Sequence, residues 1–297
     1  MRTQLSFFIA LTLLFTAVDA IPFSKIDDQI KYHLIRLDDM GMSHGVNMAI
    51  KEVIETGLPV STSIMFVCPW YQEAVEILKE HPEVSAGIHL TLNAEWKNYR
   101  WGPIIGPEAA PSLVDEQGFF LPARSVLFSR NPNVKEIEKE LRAQIERAMA
   151  SGLKIDYVDY HMGAAVETLE LREIVEGLAA EFELGMVYYL GEKPSSATYF
   201  PAYDAKLDSL ISNINSMGPG INLQVVHVSL DTPEMQALID LNTFGLKEMS
   251  KHRASELAAL TSPEFRAALK QNNVISLTYK DLIKMVGLEN MTRPELE

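Results

Sequence analysis

Residues 33–47 read HLIRLDDMGMSHGVN, an apolar run that ends in two adjacent carboxylates, Asp38 and Asp39, and passes at once into a Gly- and Ser-containing turn. Side by side at neutral pH the two charges repel, so something nearby must favour keeping both, and a bound cation is one candidate. Three other apolar runs carry polar groups near their ends. His89 lies late in AGIHLTL, Asp159 and His161 end DYVDYH, and His227 lies late in LQVVHVS. Two imidazoles and one carboxylate are a common zinc set that leaves a position open for water, and the same oxygen-rich corner accepts magnesium or manganese. Only one of the two aspartates is needed as a ligand. The other is free to take a proton from water as a general base. Adjacent residues of a regular strand point to opposite faces, so both aspartates share a site only if the strand ends there. A lone His in an apolar strand is more often a hydrogen-bonded core residue than a ligand, and His33, His44, His81 and His252 are read that way. Cys68, the single cysteine, sits at an apolar strand end and reads as a buried, inert thiol.

These groups gain meaning from the elements that carry them. Strand-like runs occupy 33–37, 60–67, 84–92, 155–161, 185–190, 222–230 and 274–279. Between them, Val46, Ala49, Ile50, Val53 and Ile54 follow helical spacing, and Leu171, Ile174, Val175, Leu178 and Ala179 repeat it. Val134, Ile137, Leu141 and Ile145 mark a third helix and Leu207, Leu210, Ile211 and Ile214 a fourth, while Ser262 and Pro263 start a fifth. Strand and helix in alternation imply an α/β fold with a mainly parallel sheet, and a count near seven strands leans toward a TIM-type barrel. In any such fold the carboxyl ends of the strands share one face, so four strands aim carboxylates and imidazoles at one place. Residues 93–133, with Trp96, Tyr99 and Trp101, break the rhythm as a long loop of the kind that is usually functional.

The first twenty residues have one Arg, an apolar stretch from Leu5 to Ala17, and small residues at Val18 and Ala20. They read as a signal peptide cleaved near Ala20, too short in its apolar part to span a bilayer, and predict an exported protein. The expected division is signal peptide 1–20, lead-in 21–32, one barrel domain 33–285 and a polar tail 286–297. A formal net charge of −14 disfavours nucleic acid and anionic lipid as partners. No stable membrane association is expected.

At the residues named above the sequence resembles the YdjC-like carbohydrate deacetylases, the family that includes chitooligosaccharide deacetylases. The family's Ala-Asp-Asp-Phe-Gly strand end and Gly-Val-Asn helix start stand here as LDDMGMSHGVNMAI, and its Gly-(Ile/Leu)-His-Leu-(Thr/Asn)-Leu motif as GIHLTLN. SLVDEQGFF, DYHMG, HVS and KHRASELAALTSPEFRAAL follow in family order, so the resemblance spans roughly 33–283. It implies a distorted TIM-type barrel of about seven parallel strands. It further implies that Asp39, His89 and His161 hold one divalent metal ion (zinc or magnesium), that Asp38 is the base, and that His227 is the acid that protonates the leaving amine. Arg253 matches an arginine of the family and would orient a carboxylate or contact substrate. The chain departs from the pattern at Gly163, where the family has a second His, at Tyr157, and at Val228 and Ser229, which replace Pro-Gly.

The expected function is therefore metal-dependent removal of N-acetyl groups from an oligosaccharide, with Trp96, Tyr99 and Trp101 offering flat faces to sugar rings. One rival is a non-catalytic carbohydrate-binding relative. Another is a metallohydrolase of a different bond, for which Glu167 and Asp231 are the carboxylates past the fourth and sixth strands of a glycosidase reading. A homodimer is left open.

Overall fold

In the computed structural model, residues 26–195 and 197–295 are described; the expected signal peptide lies outside them. Among these residues eight parallel strands form one sheet: β1 (Lys31–Met40), β2 (Ser61–Ile64), β3 (Ser85–Leu90), β4 (Tyr157–Tyr160), β5 (Gly185–Met186), β6 (Lys193–Ser195), β7 (Gly220–Val226) and β8 (Ile275–Leu277). Seven run in the order β5-β4-β3-β2-β1-β7-β6. The eighth, β8, pairs with Tyr32–Leu34 of β1, on the edge whose farther half, from Arg36 on, takes β2. Among the described residues β5 and β6 do not pair, so the barrel is distorted, as expected, and also open, which the expectation of a TIM-type barrel did not include.

Among the described residues ten α-helices lie between or after the strands: α1 (His44–Glu55), α2 (Tyr71–Glu80), α3 (Arg124–Ser129), α4 (Val134–Ala150), α5 (Leu169–Glu181), α6 (Lys206–Ser216), α7 (Pro233–Gln236), α8 (Met249–Thr261), α9 (Pro263–Gln271) and α10 (Tyr279–Val286). The apolar stripe of α1 is buried as its spacing requires, at Val46, Ala49, Ile50, Val53 and Ile54. Ser43 caps α1 through the Val46 amide, and Ser262 caps α9 through the Phe265 amide with Pro263 at the first position. The sequence reading passed over β6 and the helices α2, α3, α7, α8 and α10. Helices α3 and α7 are too short for a full apolar stripe and α8 is buried on several sides, whereas α2 does carry a periodic apolar face, at Ala74, Val75, Ile77 and Leu78, and α10 buries Tyr279 and Leu282 at helical spacing.

Strand alternation divides the core into two layers. Ile35 and Leu37 of β1 pack outward against the helices, whereas Tyr32 and Leu34 point inward with Leu223, Tyr157, Leu277 and Tyr279. The inward layer is tight at Gly87. A Cβ there would lie 2.3 Å from the Tyr157 ring, which hydrogen-bonds Ser63 Oγ at 3.1 Å and packs on Tyr279 at 4.2 Å between centroids. Small residues on β2 and β3 thus make room for the large ring on β4.

Within the expected polar tail, Thr292 and Arg293 make contacts with the body of the domain. Thr292 N donates to Tyr189 O at 2.9 Å, and Arg293 reaches Glu176 at 2.7 Å. Those contacts join positions far apart in sequence, which composition does not reveal.

Candidate active site

Continuing inward along β1 past Tyr32 and Leu34, the same face carries Arg36 and Asp38. Asp39 follows, and it should point outward. It does not, because its backbone turns into the left-handed region (φ 66°) where the pairing of β1 with β2 shifts register between Leu37 and Met40. Asp tolerates that region better than most residues, and strain of this kind gathers at functional sites. The break brings the two neighbouring carboxylates into one cavity.

Parallel pairing sets His89 beside Asp159, and His89 Nδ1 meets Asp159 Oδ2 at 2.7 Å. His161 follows β4 directly, two residues past Asp159 and so on the same inward face, and the chain then turns away through Met162 (φ 50°) and Gly163 (φ 73°). Its Nε2 lies 3.0 Å from Glu95 Oε2. Each ring is therefore held at one nitrogen by a carboxylate, leaving the other nitrogen turned toward Asp39. This arrangement fixes the orientation and tautomer of metal-ligating imidazoles.

His89 Nε2, His161 Nδ1 and Asp39 Oδ1 form a small triangle with sides of 3.3 Å between the rings and 3.4 Å from each ring to the carboxylate oxygen. Asp39 Oδ1 is buried and accepts a well-formed hydrogen bond from neither ring. The three atoms fit a cation, since donors spaced 3.3–3.4 Å apart could all touch one small divalent ion.

Charge at the site points the same way. Burial would raise Asp39, but Arg253, whose Nη2 is 2.6 Å from Oδ2, and the two imidazoles hold it well below the usual carboxylate range. Burial would lower His89, yet Asp159 and Asp38 push it up to about 9. For His161 burial is likewise outweighed, chiefly by Glu95 and Asp39, and it rises to about 10. Negative charge in excess of the arginines thus draws protons onto the rings, and a divalent cation satisfies the same excess with the rings neutral.

Arg36 grips Asp38 with two hydrogen bonds, Nε to Oδ1 at 2.6 Å and Nη2 to Oδ2 at 2.8 Å. Its Nη1 also lies 3.0 Å from Asp159 Oδ1, an ion pair whose N–H direction misses hydrogen-bond geometry. His227, just beyond β7, brings Nε2 within 3.8 Å of Asp38 Oδ2, and its side chain is 23 % exposed. All of these groups line a cavity of about 790 Å³, within the range of small-ligand pockets.

The structure thus brings together Asp38, Asp39, His89, His161, His227 and Arg253. Arg253 acts on Asp39 through a single nitrogen rather than a bidentate grip, and spans the ring of Trp96 at 5.9 Å. The tryptophans do not offer the sugar-stacking faces expected of them. Trp101 is 5 % exposed, donates its indole N–H to Asn93 O at 2.8 Å and lies edge-on behind His161 at 6.3 Å. Trp96 reaches the cavity wall but is 1 % exposed, and the Tyr99 hydroxyl donates to Met42 O. Loop composition favours aromatic exposure no more than packing; here packing wins. Glu167 and Asp231, the carboxylates of the glycosidase alternative, are absent from the cavity lining.

Two participants, Arg36 and Glu95, carry no role in the sequence reading, and Asp159 appears there at its strand end without one. Arg36 and Asp159 each stand two residues before a site residue, Asp38 and His161, so alternation puts them on the same strand face. Glu95 lies in the long loop, and no local signal marks it. Of the remaining histidines, His44 and His81 pair at the surface with Glu73 and Glu83. His33 is core but not hydrogen-bonded, because both ring nitrogens lack a partner. Cys68 is buried, and burial raises its thiol well above the usual value.

Comparisons with known proteins agree with this architecture. Curated carbohydrate deacetylases are similar over most of their length. That of Geobacillus stearothermophilus is 29% identical, with 86% of this chain and 99% of the relative covered, and that of Thermoanaerobacter pseudethanolicus is 27% identical, with 85% and 100% covered. A crystal structure from Enterococcus faecalis, provisionally named for cellobiose-phosphate cleavage, superposes with a TM-score of 0.70 at 24% identity, covering 85% of this chain and 99% of that one, and shares the fold. The family model described as YdjC-like protein matches residues 34–271, from the strand that carries the paired aspartates through the helix that follows Arg253, and on that match the chain belongs to the YdjC-like proteins.

Proposed function

We propose that the protein hydrolyses the N-acetyl amide of an acetylated carbohydrate. The observation that carries this reading is the unpartnered, buried Asp39 Oδ1 facing two imidazoles already fixed by Asp159 and Glu95, with Asp38 and His227 alongside. The similar proteins named carbohydrate deacetylases support the choice of substrate class. Asp39, His89 and His161 would hold one divalent ion, zinc or magnesium, and a ligand set with two imidazoles suits zinc better than magnesium. Such an ion supplies Lewis acidity, which favours hydroxide character in water and stabilises a developing oxyanion.

The remaining work falls to side chains. Asp38, oriented by Arg36, accepts the proton given up as water attacks the acetyl carbonyl. A C–O bond forms, the C–N bond breaks, and the departing nitrogen must gain a proton to leave as an amine. His227 Nε2, close to Asp38 and partly open to the cavity, is placed to donate it. Arg253 keeps Asp39 ionised and turned toward the imidazoles. The test is acetate release from N-acetylated oligosaccharides by purified protein, with and without a chelator. Release that survives exhaustive chelation would remove the metal from the reading, and no release from any acetylated sugar would remove the reaction. Export after cleavage near Ala20 belongs to the same proposal and is checked by N-terminal sequencing of secreted material.

A further inference from the structure

Two loops at the cavity mouth expose phenylalanines that the chemistry above leaves unused. Phe200 is 73 % exposed and Phe244 63 % exposed, and both line the cavity that holds Asp39 and His227. A run of rings leads outward to the first of them. His227 meets Tyr199 edge-on at 5.8 Å, and Tyr199 meets Phe200 edge-on at 5.1 Å. Phe200 therefore stands about two ring spacings from the imidazole assigned as the acid.

The loops that carry these rings are tied down. Buried Lys206 donates to the carbonyls of Thr198 and Tyr199 and pairs with Glu256 Oε1 at 3.1 Å, while Glu256 Oε2 accepts from His227 N at 2.9 Å. On the opposite loop, Leu241 N donates to Glu95 O at 2.8 Å and Asn242 Nδ2 to Pro122 O at 3.1 Å. Exposed rings on anchored backbone lose little freedom when they bind. Nearby exposed aliphatic residues, Ile239 and Leu241, are not part of the cavity wall; from this loop Phe244 lines it together with Asp240, an aromatic face beside a carboxylate. Flat aromatic faces match the C–H face of a pyranose ring, which stays hydrated at its edges.

We propose that Phe200 and Phe244 form the platform for the sugar ring next to the one bearing the scissile amide, so that the site selects acetylated oligosaccharides over acetylated monosaccharides. The proposal rests on the deacetylase reading for the position of the reacting ring. Its test uses N-acetylglucosamine and tri-N-acetylchitotriose as probes, with Phe200→Ala, Phe244→Ala and the double variant, all checked for unchanged melting temperature and metal content. Calorimetry on the wild-type protein should give tighter binding of the trisaccharide than of the monosaccharide. Each single variant should weaken trisaccharide binding about tenfold, and the double variant more. In turnover the loss should appear in KM for the trisaccharide, with kcat little changed, and the chain-length preference should collapse. Unchanged trisaccharide binding in the double variant overturns the platform even if acetate is released. Conversely, binding that depends on both rings without acetate release from any sugar upholds the platform and defeats the deacetylase reading. A changed oligomeric state in the variants, with sugar binding intact, would identify the rim as a protein contact and overturn the proposal.

Discussion

The lower and upper halves of the barrel interior are built by the same strands and differ in almost every physical respect. Below, Tyr32, Leu34, Leu223 and Leu277 fill the interior with apolar volume, and Tyr157 and Tyr279 stack against one another. Two residues further along the same face of β1 begin Arg36, Asp38 and, through a break in the strand, Asp39, and the interior becomes ionic. The lower half is stabilised by packing and tolerates no extra volume. The upper half buries several carboxylates and two imidazoles, an arrangement that costs stability unless each charge is paired. The difference teaches that stability and chemistry are separated along each strand, so substitutions in the two halves should fail in different ways.

The largest effect is expected from His161→Ala. It removes one donor of the triangle and should lower activity at least about a thousandfold, with metal content per chain falling in parallel. A variant that keeps both would erase the functional half of the comparison. His227→Gln should slow acetate release by roughly 10²–10⁴-fold while leaving metal content as in wild type and the melting temperature nearly so, because the ring is partly exposed and outside the triangle. Loss of metal in that variant would merge the roles kept apart here.

In the lower half, Gly87→Ala forces a methyl group to within 2.3 Å of the Tyr157 ring. It should destabilise by about 3 kcal/mol, read as a lowered melting temperature. A compensating Tyr157→Phe change should not rescue it, since the clash is with the ring and not with the hydroxyl. His33 offers a comparable effect that depends on pH. Burial lowers its folded value to about 4 from 6.5, so between those pH values the unfolded chain binds a proton that the folded chain does not. Stability should therefore fall by roughly 3 kcal/mol as pH drops from about 6.5 to about 4. His33→Leu should flatten that slope, as measured by denaturant unfolding across the window; an unchanged slope would show that other groups carry it.

Much of the site was legible before any fold was known, and for a specific reason. Asp38, His89, His161 and His227 lie at or near the ends of short apolar runs that mark strands buried on both faces, and parallel strands deliver their carboxyl ends to one face. The helices with a full apolar stripe, at 44–55, 134–150 and 169–181, were legible from their helical period. What failed to show was whatever depends on distant neighbours. Glu95 holds His161 from an irregular loop, Trp96 and Trp101 turn their faces into packing, and Arg293 reaches back to Glu176. Phe200 and Phe244, by contrast, stand in loops whose composition did not distinguish them from any other surface segment.

The sequence by itself determined an α/β chain with carboxylates and imidazoles near strand ends, because side-chain alternation and helical period are local properties of the backbone. Only the tertiary structure decided that Asp39 turns inward with Asp38, that each imidazole has a carboxylate behind it, and which aromatic rings face the cavity. Those outcomes depend on register, on a left-handed residue at the end of β1 and on loops packed from far along the chain. A buried charge keeps its place only when the fold supplies its partner, and that partner is not written beside it.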